Sequence, residues 1–282
     1  MTIDHAAPAA APTRSGVTDV NGIKLAWQSF GTGGPAPLVM LHGGFGSVEM
    51  FGANVAALAD GRGVIAVDLQ SHGRSAAADR PMRFETMADD IAALIDALEL
   101  GRPDVLGFSL GGGVALRFGI QHPDRVRRLV LVSTPFKRAG WHREMTAGMD
   151  AMGPEVAAFM RQTPLGTTYA AIAPRPDDWP ILVEQVTTIL KQDYDWTDEA
   201  RDLQPATLIV AGDADGLGPR HAVEFFELLG GGLRDASWDR SGITRHRLAI
   251  LPGATHYDIN VLPALASTVA GFLEERGIDT KP

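Results

Sequence analysis

Short runs of apolar residues alternate with segments whose apolar positions recur every three or four residues, and this rhythm organises most of the chain. Runs at 25–31, 38–41, 64–68, 103–108 and 128–132 are strand-like, and the last two are apolar enough to be buried on both sides, as central parallel strands are. Between them, 84–100 places Met87, Ile91, Leu94, Ile95 and Leu98 on one helical face, and Gly101 stops the helix. A second helix runs from Leu110 through Val114, Leu116 and Phe118 to His122-Pro123, where proline forces the preceding residue out of helical geometry. The alternation predicts an α/β fold, a mostly parallel sheet flanked by helices.

After Pro135 the character changes. Residues 136–204 contain helical stretches such as 181–191, several prolines and three of the five tryptophans, but no convincing central strand. We read 136–204 as an inserted helical cap, and 17–135 with 205–282 as the core domain. The core pattern resumes with a strand at 207–212, a helix at 220–229, a strand at 247–251 and a last helix at 262–276. Residues 230–245, rich in Gly, Asp and Arg, read as a surface excursion of no assigned role. Residues 1–16 read as a disordered tail, because they carry neither a basic start nor an apolar stretch of signal-peptide length.

Composition narrows the chemistry. With 282 residues, 45% of them hydrophobic and 21% charged, the chain is long enough to bury a substantial core. A net charge of −9 without any Lys/Arg run argues against a nucleic-acid partner. No apolar run is long enough to span a bilayer, so a cytoplasmic protein is expected, with a homodimer left open. The absence of cysteine excludes disulfides, thiolate metal sites and a cysteine nucleophile. No residue cluster has metal-ligand spacing, so no metal is expected.

The strand 103–108 runs directly into a helix through Gly107-Phe108-Ser109-Leu110-Gly111, the context in which a G-x-S-x-G pattern marks a nucleophilic serine rather than an ordinary N-cap. A serine hydroxyl needs a base and an acid that orients the base. Of eight histidines, His256 lies just past the last strand, at the sheet edge where α/β folds assemble their sites. Gly212-Asp213-Ala214-Asp215 ends a neighbouring strand; Asp215 is the chosen acid and Asp213 the alternative. The 41 residues from Asp215 to His256 make a long gap. The order Ser109, Asp215, His256 is the one this chemistry shows on such a sheet. Backbone N–H groups of Leu110, at a helix start, and of Gly44 or Phe45, in the glycine-rich turn after 38–41, are candidate oxyanion donors. His42 and the polar stretch Asp68 to Ser75 read as supports for that turn.

Five blocks together resemble the α/β-hydrolase fold superfamily, from about Val17 to Glu275: Leu41 to Gly44, Asp68 to Ser75, Gly107 to Gly113, Gly212 to Asp215 and Gly253 to His256. The resemblance implies an eight-stranded sheet with one antiparallel strand near the N-terminus, a helical cap after the sixth strand, and a Ser-Asp-His triad without cofactor. Such proteins include carboxylesterases, lactonases, carbon–carbon bond hydrolases and cofactor-free haloperoxidases or perhydrolases. Members with an aspartate nucleophile, the haloalkane dehalogenases and epoxide hydrolases, are set aside because Ser109 occupies that place. The expected function is hydrolysis of small to medium hydrophobic carboxylic esters through an acyl-enzyme. Phe108, Phe45, Trp141, Trp179, Trp196, Met149 and Phe159 are the expected pocket walls. A non-catalytic receptor using the cap as a binding lid is the reading from another class.

Overall fold

The computed structural model describes residues 11–277. Its centre is one eight-stranded sheet in the order β1-β2-β4-β3-β5-β6-β7-β8. The strands are β1 (Arg14–Val20), β2 (Ile23–Phe30), β3 (Leu38–Leu41), β4 (Val64–Asp68), β5 (Asp104–Phe108), β6 (Arg128–Val132), β7 (Ala206–Ala214) and β8 (Arg247–Thr255). Strand β2 is antiparallel to both of its neighbours, and β3 to β8 pair in parallel.

Among the described residues ten α-helices accompany the sheet: α1 (Asn54–Leu58), α2 (Phe84–Ala97), α3 (Leu110–Gln121), α4 (Arg143–Ala151), α5 (Val156–Met160), α6 (Pro164–Ile172), α7 (Trp179–Lys191), α8 (Thr197–Arg201), α9 (Pro219–Leu228) and α10 (Pro263–Glu274). Side chains in the central strands alternate between two cores. Val39, Leu41, Val105, Leu129 and Leu131 join one with α2, α3 and α9. Leu38, Met40, Leu106, Val130 and Val132 join the other with α1 and α10. The period of two inside fully apolar strands is what a sheet covered on both faces requires.

Several element boundaries shift by a residue or two from the sequence expectation, and three depart further. Residues 14–16, assigned to the tail, begin β1; residues 1–10 of that tail lie outside the described residues. As an edge strand with most side chains outside, β1 carries no apolar run, and Gly16 lies opposite Trp27, where a Cβ would stand 2.7 Å from the indole. Helix α2 ends at Ala97 because Glu99 and Gly101 adopt left-handed backbone. Strand β8 continues four residues beyond 251, to Thr255.

Helices α4 to α8 all fall between β6 and β7. The two ends of this insertion are tied together: Arg138 N–H donates to the Tyr194 carbonyl at 2.9 Å, Trp196 N–H to the Phe136 carbonyl at 3.0 Å, and Lys137 bridges Asp195. Residues 231–246 form neither helix nor strand, and Trp238 there is fully exposed.

Candidate active site

Strand β5 ends at Phe108 and α3 begins at Leu110, so Ser109 alone turns the chain. Its backbone sits at φ 53°, ψ −116°, strained geometry for a residue with a side chain. The flanking glycines are dictated by contact. A Cβ at Gly107 would lie 2.2 Å from the Gly111 carbonyl oxygen, and one at Gly111 would lie 2.4 Å from the carbonyl oxygens of Leu41 and His42. Ser109 is pinned through its N–H to the Val132 carbonyl at 2.9 Å, and its own carbonyl accepts the Thr134 hydroxyl.

The Ser109 hydroxyl lies 3.0 Å from His256 Nε2, and His256 Nδ1 lies 2.9 Å from Asp215 Oδ1. With Nδ1 facing a carboxylate, the ring carries its proton there and offers the Nε2 lone pair to the serine. Asp215 is fully enclosed. Burial opposes its charge, but the His256 ring, the Ser133 hydroxyl and the Leu217 N–H outweigh burial and hold its pKa below the ordinary carboxylate value. Asp213 is exposed and accepts the Gly253 N–H at 2.7 Å, so of the two carboxylates Asp215 is the one that reaches His256. The long gap between acid and histidine is closed by register: Ala214 pairs with Thr255, leaving Asp215 and His256 side by side at adjacent strand ends.

The N–H groups of Gly44 and Leu110 have no acceptor among the described residues. Phe45 does not join them: its N–H donates to His72 Nε2 at 3.1 Å and is spent on holding the turn. His42 Nε2 likewise accepts the Leu69 N–H at 3.1 Å. Both rings donate from Nδ1 to backbone carbonyls, of Gly43 and Gln70, so both are neutral with defined tautomers. Burial pushes His42 below the ordinary imidazole value and His72 well below it. Asp68 adds acceptors for the N–H groups of Val48 and Arg74. The stretch Asp68 to Ser75 is a buried frame for the Gly44 turn.

A cavity of about 20 Å³ adjoins Ser109, room for little more than one water-sized group. Its walls include Leu110, Thr134, Trp141, Met149 and Tyr194, with Phe84, Arg138, Ile189 and Leu190. Trp141 meets the His256 ring edge-on and Phe108 lies tilted against it, each 5.2 Å between centroids. Neither Phe108 nor Phe45, which is buried in the core, is among the cavity's lining residues, and three other expected wall residues stand elsewhere. Trp179 is buried within the insertion beside Tyr169, with its indole N–H bonded to the Ala157 carbonyl. Trp196 is packed between Phe84 and Tyr194. Phe159 is 72% exposed. Aromatic size alone does not reveal which way a helix turns its side chains. The sequence also left Ser133, Arg138 and Tyr194 unnoticed, since none stands in a recognisable motif; only the position of Ser133 directly after a central strand placed it near the sheet edge.

Comparisons with known proteins fit this geometry. Over 126 residues the chain is 39% identical to 2-hydroxymuconate semialdehyde hydrolase of Pseudomonas sp. (strain CF600), a stretch covering 43% of each protein. The chain therefore spans less than half the length of that relative. Among solved structures, a thermophilic esterase from Thermogutta terrifontis superposes with a TM-score of 0.69 at 25% identity, covering 96% of this chain and 100% of that one. The enol-lactonase from Burkholderia xenovorans LB400 gives 0.69 at 22% identity over 92% and 100% of the two chains, a likeness of fold. The family model described as alpha/beta hydrolase fold matches residues 36–230, more than half of the sequence, and the chain belongs to that family.

Proposed function

We propose that the protein is a serine hydrolase that cleaves carboxylic esters through an acyl-enzyme. The observation that carries this reading is the unbroken chain of contacts from Asp215 through His256 to the Ser109 hydroxyl. Ser109 Oγ attacks the ester carbonyl carbon while His256 Nε2 takes the hydroxyl proton, and Asp215 stabilises the imidazolium that forms. The carbonyl oxygen, now an anion, is received by the Gly44 and Leu110 N–H groups. Collapse expels the alcohol, which leaves with the proton from His256. Water then attacks the acyl-serine by the same route and releases the acid. The insertion acts as a cap whose Trp141 and Met149 form the apolar part of the pocket. In a cavity this small, substrate enters by displacing adaptable side chains such as Met149.

A second reading, hydrolysis of a carbon–carbon bond or a lactone by the same groups, is favoured by the likeness to the semialdehyde hydrolase. A fluorophosphonate probe followed by peptide mass spectrometry tests the nucleophile: an adduct on Ser109 that disappears in Ser109→Ala supports the assignment, and a folded protein without adduct overturns it. A panel of simple esters, lactones and vinylogous diketones tests the reaction. Turnover of diketones alone would replace the ester reading with carbon–carbon cleavage.

A further inference from the structure

The wall of the Ser109 cavity contains one charged side chain, Arg138, and no carboxylate. Its Nε donates to the Leu190 carbonyl at 3.3 Å and its Nη2 pairs with Asp150 at 2.6 Å. Its Nη1 has no acceptor among the described residues, although the side chain is only 15% exposed. Asp150 itself is 56% exposed, so water screens its charge. Beside Arg138 stands Tyr194, held there by the Arg138 N–H bond to its carbonyl. Burial raises the Tyr194 phenol far above its ordinary value, so it remains a donor; its oxygen is engaged by the Trp141 indole N–H, while its own proton lacks an acceptor among the described residues. Two donors with vacant hydrogens, one of them cationic, thus share an otherwise largely apolar cavity with the nucleophile. A substrate that supplies an acceptor there gains relative to one that does not.

We propose that Arg138 and Tyr194 form a carboxylate-binding subsite, so that the preferred substrates are esters of short dicarboxylic acids whose free carboxylate lies against Arg138. This rests on the ester-hydrolase reading for Ser109. A guanidinium presents paired N–H groups that match a carboxylate, and the Tyr194 hydroxyl adds a third donor.

The test compares monomethyl succinate with methyl pentanoate, esters of similar length that differ in the terminal carboxylate, by titrating released acid. The expected kcat/KM ratio in favour of monomethyl succinate is about tenfold or more, the effect of one charge-assisted hydrogen bond. Arg138→Met is expected to abolish that ratio, and Tyr194→Phe to reduce the ratio in part. Equal rates for the two esters in the wild type, or a preference that survives Arg138→Met, would overturn the subsite. A second measurement does not depend on ester turnover: succinate should slow fluorophosphonate labelling of Ser109 in the wild type and not in Arg138→Met. If neither ester is cleaved but Ser109 labels, the ester reading fails, and protection by succinate alone decides the subsite; absence of protection rejects it.

Discussion

Replacing Asp215 by Asn tests the whole arrangement, because the structure separates two ways the change could act. Asp215 Oδ1 faces two donors, His256 Nδ1–H at 2.9 Å and Leu217 N–H at 3.0 Å, whereas Oδ2 faces the Ser133 hydroxyl, which can rotate to accept, and only a longer contact from the Gly212 N–H at 3.4 Å. An asparagine therefore seats its oxygen toward His256 and its NH2 toward Ser133, keeping the histidine tautomer. What it loses is the negative charge opposite the imidazolium that forms in the transition state. Two unit charges about 4 Å apart at an effective dielectric near 20 interact by about 4 kcal/mol, so kcat in Asp215→Asn should fall by about 10³ with little change in KM. Steady-state ester hydrolysis measures it. Asp213→Asn, which disturbs only the bond to Gly253 N–H, should stay within a few-fold of wild type. A loss under tenfold in Asp215→Asn, or an equal loss in Asp213→Asn, would refute the reasoning.

Other expectations follow from packing and titration. Gly111→Ala drives a methyl into two backbone carbonyls that cannot retreat, and should destabilise by at least ~2 kcal/mol, seen as a lowered Tm; an unchanged Tm would contradict the contact distances. His42, His72, His221 and His246 all bind protons less readily folded than unfolded, chiefly through burial, His246 being lowered to about 4. Below about pH 6.5 the unfolded chain takes up protons that the folded chain refuses, so stability falls with pH by up to about 1.4 kcal/mol per group per pH unit. Urea midpoints at pH 7.5 and 5.5 should therefore differ clearly, and coincident midpoints would show these rings to be accessible. Trp196→Ala should cost about 3–5 kcal/mol of stability, whereas Trp141→Ala, at the edge of His256, should act mainly on kcat and KM; the reverse pattern in melts and kinetics would put Trp196 in the pocket.

The sequence displayed the elements whose residues have a single physical job. Strands buried on both faces must be apolar throughout, so β3 to β6 could be read directly. Ser109 and its glycines were legible because a strand meeting a helix in one residue leaves no room for side chains. Strand β1 escaped notice because its pairing is backbone to backbone and its side chains face outward. Phe45 looked like an equal of Gly44, and only the position of the His72 ring shows that its N–H is already taken. The tryptophans of the insertion could not be sorted by type, since Trp141, Trp179 and Trp196 are equally apolar and differ only in the direction their helices and turns present them. Arg138 and Tyr194 are 56 residues apart and become neighbours through the pairing that ties the ends of the insertion together.

The Ala214–Thr255 pairing also frees the chain between α9 and β8 from any duty of measurement. Asp215 and His256 are spaced by two strand ends, so the excursion with Trp238 at its surface can lengthen, shorten or change composition without moving them apart. For evolution this is a place where sequence can drift or acquire a new recognition loop at small catalytic risk. For the engineer it is a natural point at which to splice a reporter or affinity module into an otherwise intact fold.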